Sequence, residues 1–351
     1  MGTRPDIIKL SPIIRECERL GLDYFMIHTG QHYSNDMDGI FFEQLELPQP
    51  KYNLGIGSGT YADEVSKAIK GIEGVLLVEK PSIVLVYGDT NSCIAGTLAA
   101  LRCGITVGHI EAGLRSYFSG MPEEINRVIV DHCSDLLFAP TSNAEQNLLK
   151  EGISPSKIFV TGNTVVDAIY QNVDKCKVEH FFLESLTPEG YILATVHRLE
   201  NVDSYERFAS ILAGLEKVAL AFNIPVVYPI HPRARKMMAE FEFNTTNIKL
   251  CNPVGYLEFL WLEKNAKLIM TDSGGVQEEA CILETPCVTL RDNTERLETI
   301  EVGSNILAGT SEERILECAV LMTRRNRNWT NPFGDGKAGE NIVEIIGRKC
   351  G

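Results

Sequence analysis

No apolar run in this 351-residue chain approaches the roughly 20 residues that a membrane-spanning helix needs. No C-x-x-C pair occurs. The ten cysteines are scattered singly, and Cys17, Cys93, Cys133, Cys281 and Cys318 lie in apolar or helical contexts. That pattern reads as reduced core thiols rather than disulfides or metal ligands. Positive charge is in deficit: 33 Lys and Arg against 47 Asp and Glu leave a net −14. Broad nucleic-acid binding is therefore not expected, although a few local cations could still hold a small anion. No complete G-x-G-x-x-G follows a strand, so no nicotinamide is expected, and no other cofactor is called for. Internal repeats and low-complexity segments are lacking too. The N-terminus has neither the charged start nor the long apolar core of a secretory leader. These absences leave an expected cytoplasmic globular protein, with no membrane partner and enough length for two domains.

What the chain does have is organised around Thr271-Asp272-Ser273-Gly274-Gly275-Val276-Gln277-Glu278-Glu279-Ala280. An apolar strand, Lys267–Met270, precedes it, and a helix-forming segment follows. A small-residue turn between strand and helix presents backbone N–H groups at a helix start, which suits a phosphate or diphosphate. Gly274 and Gly275 let an anion approach without a Cβ in the way, and Ser273 adds a hydroxyl. One turn further in, Glu279 could accept from a ribose diol. The plain alternative is a tight glycine turn with no ligand.

Elsewhere strands and helices alternate. Tyr24–His28, Ser82–Tyr87, Ile105–Ile110, Asp135–Phe138 and Ile158–Val160 read as strands of a first half. Tyr191–Val196, Val226–Ile230, Lys249-Leu250 and Pro286–Leu290 read as strands of a second. Such alternation indicates α/β domains on parallel sheets, whose ligands sit beyond the C-terminal strand ends. Asp89 and Glu111 fall at those ends in the first half, as do His197 and His231 in the second. Pro122-Glu123-Glu124 makes a sound helix start by proline and dipole rules alone. The polar stretch Cys176–Glu189 marks the junction. The expected division is 1–168 and 169–333, two Rossmann-like domains with a cleft between them, and a final helix in 334–351 that follows an irregular linker. The turn Gly2-Thr3-Arg4 leads into a helix as such turns do after a strand, yet no strand precedes it. The first sheet is expected to be one strand short.

Seven blocks together resemble the UDP-N-acetylglucosamine 2-epimerase family, and its non-hydrolysing branch most. They are Gly2-Thr3-Arg4-Pro5, Tyr87-Gly88-Asp89-Thr90, the run Gly108 to Arg115, Pro122 to Arg127, His197 to Asn201, Thr271 to Glu279, and Arg291 to Arg296. They occur in family order over nearly the whole chain; one departure is Leu297, where proline is common. The resemblance implies a glycosyltransferase-B type fold, a homodimer acting in polysaccharide biosynthesis, and a final helix returning to the first domain. It implies that Asp89, Glu111, Glu123 and His197 are catalytic. Arg4, Lys9, His231, Phe259, Ser273, Gly274, Gly275, Glu279 and Arg296 would contact a UDP-sugar substrate. Gln31 and His32 would contact a second, allosteric UDP-N-acetylglucosamine.

The residue types suit that chemistry. The C2 proton of an N-acetylhexosamine is not acidic, because no carbonyl adjoins C2. If UDP departs from C1, positive charge develops there and acidifies the C2 proton. Elimination gives 2-acetamidoglucal and UDP, and re-addition with protonation on the other face gives the epimer. This route needs several proton-trading carboxylates and donors for the departing diphosphate. The readings that compete are a hydrolysing epimerase, a UDP-diacetamido-uronate 2-epimerase, a sugar transferase of the same fold, and a non-catalytic UDP-sugar sensor.

Overall fold

The computed structural model describes residues 1–30, 35–57, 59–117, 120–175 and 186–350. The chain divides into two compact units, Met1–Gln171 with Phe333–Gly351, and Asn172–Pro332.

In the first unit, β3 (Ile83–Tyr87), β4 (Thr106–Ile110), β5 (Leu136–Ala139) and β6 (Ile158–Val160) form a parallel sheet in that order. Helices Tyr61–Glu79 and Asn91–Arg102 cover it. Their Ala68, Ile72, Leu76, Ile94, Ala95 and Ala99 pack as one core with Val86 and Val107 of the sheet. A separate parallel pair, β1 (Ile27–His28) and β2 (Tyr52–Asn53), lies near the start of the chain. Met1 runs beside β1: its ammonium donates to the Ile27 carbonyl at 3.2 Å, and the Thr29 amide donates to the Met1 carbonyl at 3.0 Å. Among the described residues nothing pairs with the outer edge of β3. A cavity of about 590 Å³ is lined there by Ile83–Tyr87, by Met26 and Ile27, and by Ile13, Ile14, Ile72 and Leu76.

Two local devices fix the ends of this unit. The helix Arg4–Leu20 starts on a Thr3–Asp6 capping box with proline in its first turn. The Asp6 carboxylate accepts from the Gly2 amide at 2.8 Å. Glycine at position 2 leaves room for the Ser92–Thr29 hydroxyl pair, since a Cβ would lie 2.0 Å from the Ser92 Oγ and 2.4 Å from the Thr29 Oγ1. The helix Ala338–Cys350 starts on Asp167, which accepts from the Ala338 amide at 3.2 Å and the Gly339 amide at 2.8 Å. Gly339 abuts Pro12 of the first helix, where a Cβ would come within 3.1 Å of backbone carbon.

The second unit is a six-stranded parallel sheet in the order β12-β11-β10-β7-β8-β9. The strands are β7 (Ile192–Thr195), β8 (Val226–Pro229), β9 (Ile248–Cys251), β10 (Leu268–Thr271), β11 (Cys287–Thr289) and β12 (Asn305–Leu307). Strand alternation divides the core between two faces. Ile192, Ala194, Leu268 and Met270 face helices Tyr205–Phe222 and Glu312–Thr323. Leu193, Ile269 and Cys287 face helices Tyr256–Asn265 and Gly274–Ile282. The chain leaves β7 toward β8 on one side and returns to β10 on the other, so β7 and β10 flank a topological switch point.

The stretch between Arg296 and Asn341 departs from the expected irregular linker. It forms β12 and the helix Glu312–Thr323, capped by the Ser311 hydroxyl. Ile315, Cys318, Ala319 and Met322 recur at helical spacing and are buried. The three-residue strand before them is too short to show a period of its own.

Candidate functional site

In the first unit, the C-terminal ends of β3 and β4 carry Asp89 and Glu111. Gly88 (φ +65°) and Glu111 (φ +70°) both adopt left-handed backbone. For glutamate that conformation costs on the order of 1 kcal/mol or more and has to be held from outside. The Gly88 amide donates to the Ile110 carbonyl at 3.0 Å and the Ala112 amide to Phe138 at 3.1 Å. The Glu111 side chain is buried and its Oε1 accepts from the Lys9 Nζ at 3.0 Å. Lys9 thus serves a carboxylate, a pairing the sequence reading did not anticipate.

Asp89 Oδ2 accepts from Arg127 Nε at 2.9 Å and Nη2 at 2.5 Å, and its backbone carbonyl accepts from Asn126 Nδ2 at 2.8 Å. Both partners lie on the helix Pro122–Cys133. At the start of that helix the two glutamates part company. Glu124 is buried and accepts from the Ser116 and Tyr117 amides at 3.0 Å each, and from Arg127 Nη1 at 2.9 Å. Burial works to raise its pKa, but these bonds together hold it below the usual carboxylate range. Glu123 is half-buried and, among the described residues, has no hydrogen-bond or ion-pair partner. Arg4 sits at the start of its helix with its guanidinium 5.5 Å from the Phe41 ring centre. Gln31 and His32 lie outside the described residues.

In the second unit the switch-point strands β7 and β10 end in His197 and in Asp272-Ser273. Asp272 is fully buried. It accepts from the His197 and Arg198 amides at 3.1 and 3.0 Å, from Asn201 Nδ2 at 3.0 Å, and from His197 Nδ1 at 3.0 Å. Burial works to raise the Asp272 pKa, but His197 and these donors outweigh it and hold the carboxyl low. An ionised Asp272 fixes the proton on Nδ1 and leaves the exposed imidazole to offer Nε2 outward. His231 caps the helix Pro232–Glu240, its Nδ1 accepting from the Arg233 amide at 3.2 Å. The two imidazole rings are 6.1 Å apart. With Phe259, Ser273 and Val276 they line a cavity of about 260 Å³.

The helix Gly274–Ile282 begins on Ser273, whose hydroxyl takes no part in capping. Its two glycines differ. A Cβ on Gly274 would lie 2.3 Å from Glu295 Oε1, so the fold itself requires that glycine. A Cβ on Gly275 would meet nothing closer than 3.9 Å, so packing gives no reason for it. Glu295 is ringed by arginines, with Arg291 Nη2 at 3.0 Å and Arg198 Nη2 at 3.6 Å. Burial acts to raise its pKa, but Arg296, Arg291 and Arg198 bring it down to about 2. Arg296 is buried, with its Nε 3.4 Å from Glu278. Glu279 is half-buried on the same helix, and behind it Glu263 is fully buried. Burial and the neighbouring Glu279 push Glu263 well above the usual carboxylate range.

Asp272, Arg127 and Lys9 stand in or beside the sequence blocks that carry the resemblance, but their structural roles are not legible there. The signal for Asp272 was present, since a carboxylate after a buried strand is what singled out Asp89 and Glu111. Arg127 lies four residues after Glu123 on one helix, a spacing that places both on the same face.

Parallel α/β units, one with a glycine-opened helix start at a switch point, belong to the class of folds of the glycosyltransferase-B type. A glycotransferase of kitacinnamycin, 10% identical with a TM-score of 0.54 over 98% of this chain and 92% of its own, shares that fold alone. A family profile for UDP-N-acetylglucosamine 2-epimerase matches residues 15–347. The UDP-N-acetylglucosamine 2-epimerase of Methanocaldococcus jannaschii is 54% identical over 99% of this chain and 97% of its own. Its crystal structure, in complex with UDP-GlcNAc and UDP, superposes with a TM-score of 0.91 over 99% of this chain and 98% of that one. The UDP-2,3-diacetamido-2,3-dideoxy-D-glucuronate 2-epimerase of Pseudomonas aeruginosa is 40% identical over 99% of this chain and 98% of its own. The chain belongs to the UDP-N-acetylglucosamine 2-epimerase family.

Proposed function

We propose that this protein interconverts UDP-N-acetylglucosamine and UDP-N-acetylmannosamine without hydrolysis, by elimination and re-addition of UDP. The diphosphate is assigned to the Ser273–Gly275 helix start, with Arg296 nearby, the ribose to Glu279, and the uracil to the neighbourhood of Phe259. As the C1–O bond breaks, its electron pair leaves with UDP, and the N–H groups of the helix start stabilise the growing charge. A carboxylate of the first unit removes the C2 proton, giving 2-acetamidoglucal. A second proton donor then delivers to the opposite face of C2 while a UDP oxygen returns to C1. His197, oriented by Asp272, is assigned to proton transfer at the departing and returning phosphate oxygen. Asp89, Glu111 and Glu123 are assigned to the sugar.

One observation carries this reading. Gly275 has no packing reason to be glycine, and it stands at a helix start in the unit that holds the Asp272–His197 pair. A turn left open to a ligand, beside a histidine held in one tautomer, suits an anionic leaving group that must be both stabilised and protonated. The experiment is incubation with UDP-N-acetylglucosamine followed by proton and phosphorus NMR. A mixture of the two UDP-sugars at constant total nucleotide sugar is expected. Accumulation of free N-acetylmannosamine with UDP would overturn the non-hydrolysing assignment. Turnover only of a diacetamido-uronate substrate would overturn the sugar assignment.

A further inference from the structure

Behind the turns that carry Asp89 and Glu111 lies a buried histidine to which the mechanism gives no part. His109 is on β4, two residues before Glu111, and is completely buried. Its Nδ1 is 2.6 Å from Asp131 Oδ1 and its Nε2 is 2.8 Å from the Gly88 carbonyl oxygen. A carbonyl oxygen only accepts, so Nε2 carries a proton. The other Asp131 oxygen faces the Gly113 amide at 3.1 Å and Arg115 Nη1 at 2.7 Å, both pure donors. Those donors keep the carboxylate ionised, so Oδ1 accepts as well and Nδ1 also carries a proton. The ring is therefore an imidazolium.

The surrounding charges agree. Asp131 faces the ring from the helix Pro122–Cys133, and Cys93 faces it from the helix Asn91–Arg102. Arg115 stands beyond Asp131 and is balanced by Glu151, at 2.7 Å through both Nε and Nη2. Burial acts against a charged ring, but the Asp131 carboxylate outweighs it, and His109 is held well above the ordinary imidazole value.

What the ring touches is specific. Gly88 immediately precedes Asp89, and Gly113 follows Glu111 by two residues. Gly88, Glu111 and Gly113 all have positive φ, at 65°, 70° and 84°, so the peptides of both turns need anchoring. His109 donates to the Gly88 carbonyl, which Cys93 Sγ also approaches at 3.1 Å. Asp131, held by His109, accepts from the Gly113 amide. We propose that His109 is a positioning residue: as a buried imidazolium paired with Asp131, it clamps both strand-end turns and so fixes where Asp89 and Glu111 point. The catalytic consequence rests on the function proposed above; the clamp itself does not.

The test combines a spectroscopic signature with kinetics. Long-range proton–nitrogen NMR of the ¹⁵N-histidine protein should show His109 with both ring nitrogens protonated at pH 7. His109→Gln and Asp131→Asn should shift the backbone amides of Asp89 and Glu111 while calorimetric UDP affinity stays within about twofold. A misplacement of about an ångström can cost roughly 10²-fold in rate, so kcat should fall about 10- to 100-fold with KM little changed. The proposal is overturned if His109 is neutral at pH 7, or if either variant, shown folded by circular dichroism, leaves those amides or kcat unchanged. The wild-type ring signature does not depend on either variant folding. If the wild-type protein turns over no UDP-N-acetylglucosamine at all, the functional reading fails, and the ring signature with the amide shifts still decides the clamp.

Discussion

Glu111 and Glu279 are both glutamates in the proposed site, but their surroundings assign them opposite work. Glu111 is buried at a strand end on the Lys9 ammonium, among the groups of the first unit to which the proposal assigns proton transfer. Glu279 is half-buried on the helix Gly274–Ile282 of the second, to which the proposal assigns the diphosphate. Glu111→Gln should cost about 10²–10⁴-fold in turnover, the usual loss for one proton-transfer group, with UDP affinity nearly intact. Glu279→Gln should weaken UDP binding and leave a smaller defect at saturation. Calorimetry for UDP and a coupled turnover assay separate the two. A folded Glu111→Gln protein with normal turnover, or with no UDP binding, would contradict the assignment. At this scale the sequence was legible for residue type and not for pairing. Glu123 and Glu124 are indistinguishable as letters in a helix start. Only the fold shows Glu124 spent on Ser116, Tyr117 and Arg127 while Glu123, among the described residues, keeps its carboxylate uncommitted.

Helix starts are the elements on which the account turns, and the two glycines of Gly274–Ile282 give a sharp contrast. Gly275→Ala introduces no clash and removes a poor helix former, a change worth up to about 1 kcal/mol in a helix interior and less in a first turn. The protein should become slightly more stable in thermal unfolding while its UDP affinity falls. Gly274→Ala should lose stability, because the new Cβ would meet the Glu295 carboxylate. A Gly275→Ala protein with undiminished UDP affinity would remove the anion from this turn.

The helix Ala338–Cys350 offers a pH test. Asp167 caps it from a buried position, and burial pushes its pKa up to about 6 from 3.8 despite the Gly339 and Ala338 amides. A carboxyl whose native pKa is raised binds its proton more tightly when folded. Its contribution to stability is therefore full below about pH 3.8 and is lost as pH rises through about 6. Asp167→Asn keeps an oxygen for the cap and removes the titration. The stability difference between mutant and wild type should shift in the mutant's favour across that window, measured by urea unfolding. A difference independent of pH would contradict this reading of Asp167.

Across the whole molecule, the alternation of strands and helices was readable because buried parallel strands are near-continuous apolar runs closed by small or polar residues. Val84 to Tyr87 before Gly88, and Leu268 to Met270 before Asp272, are of this kind. Strand order was not readable. Nothing local to β7 or β10 says that they are neighbours, because 72 residues intervene between Thr195 and Leu268, yet their adjacency creates the switch point and joins Asp272 to His197. Three-residue strands such as β12 are too short to declare themselves. The chemistry ascribed to the whole protein reduces to one event, removal and return of the proton at C2 while UDP is held. In heavy water, with UDP-N-acetylglucosamine as the only sugar, the account predicts deuterium at C2 of the UDP-N-acetylmannosamine formed, and at C2 of recovered substrate as the reaction approaches equilibrium. Epimerisation that keeps the original hydrogen at C2 would contradict it.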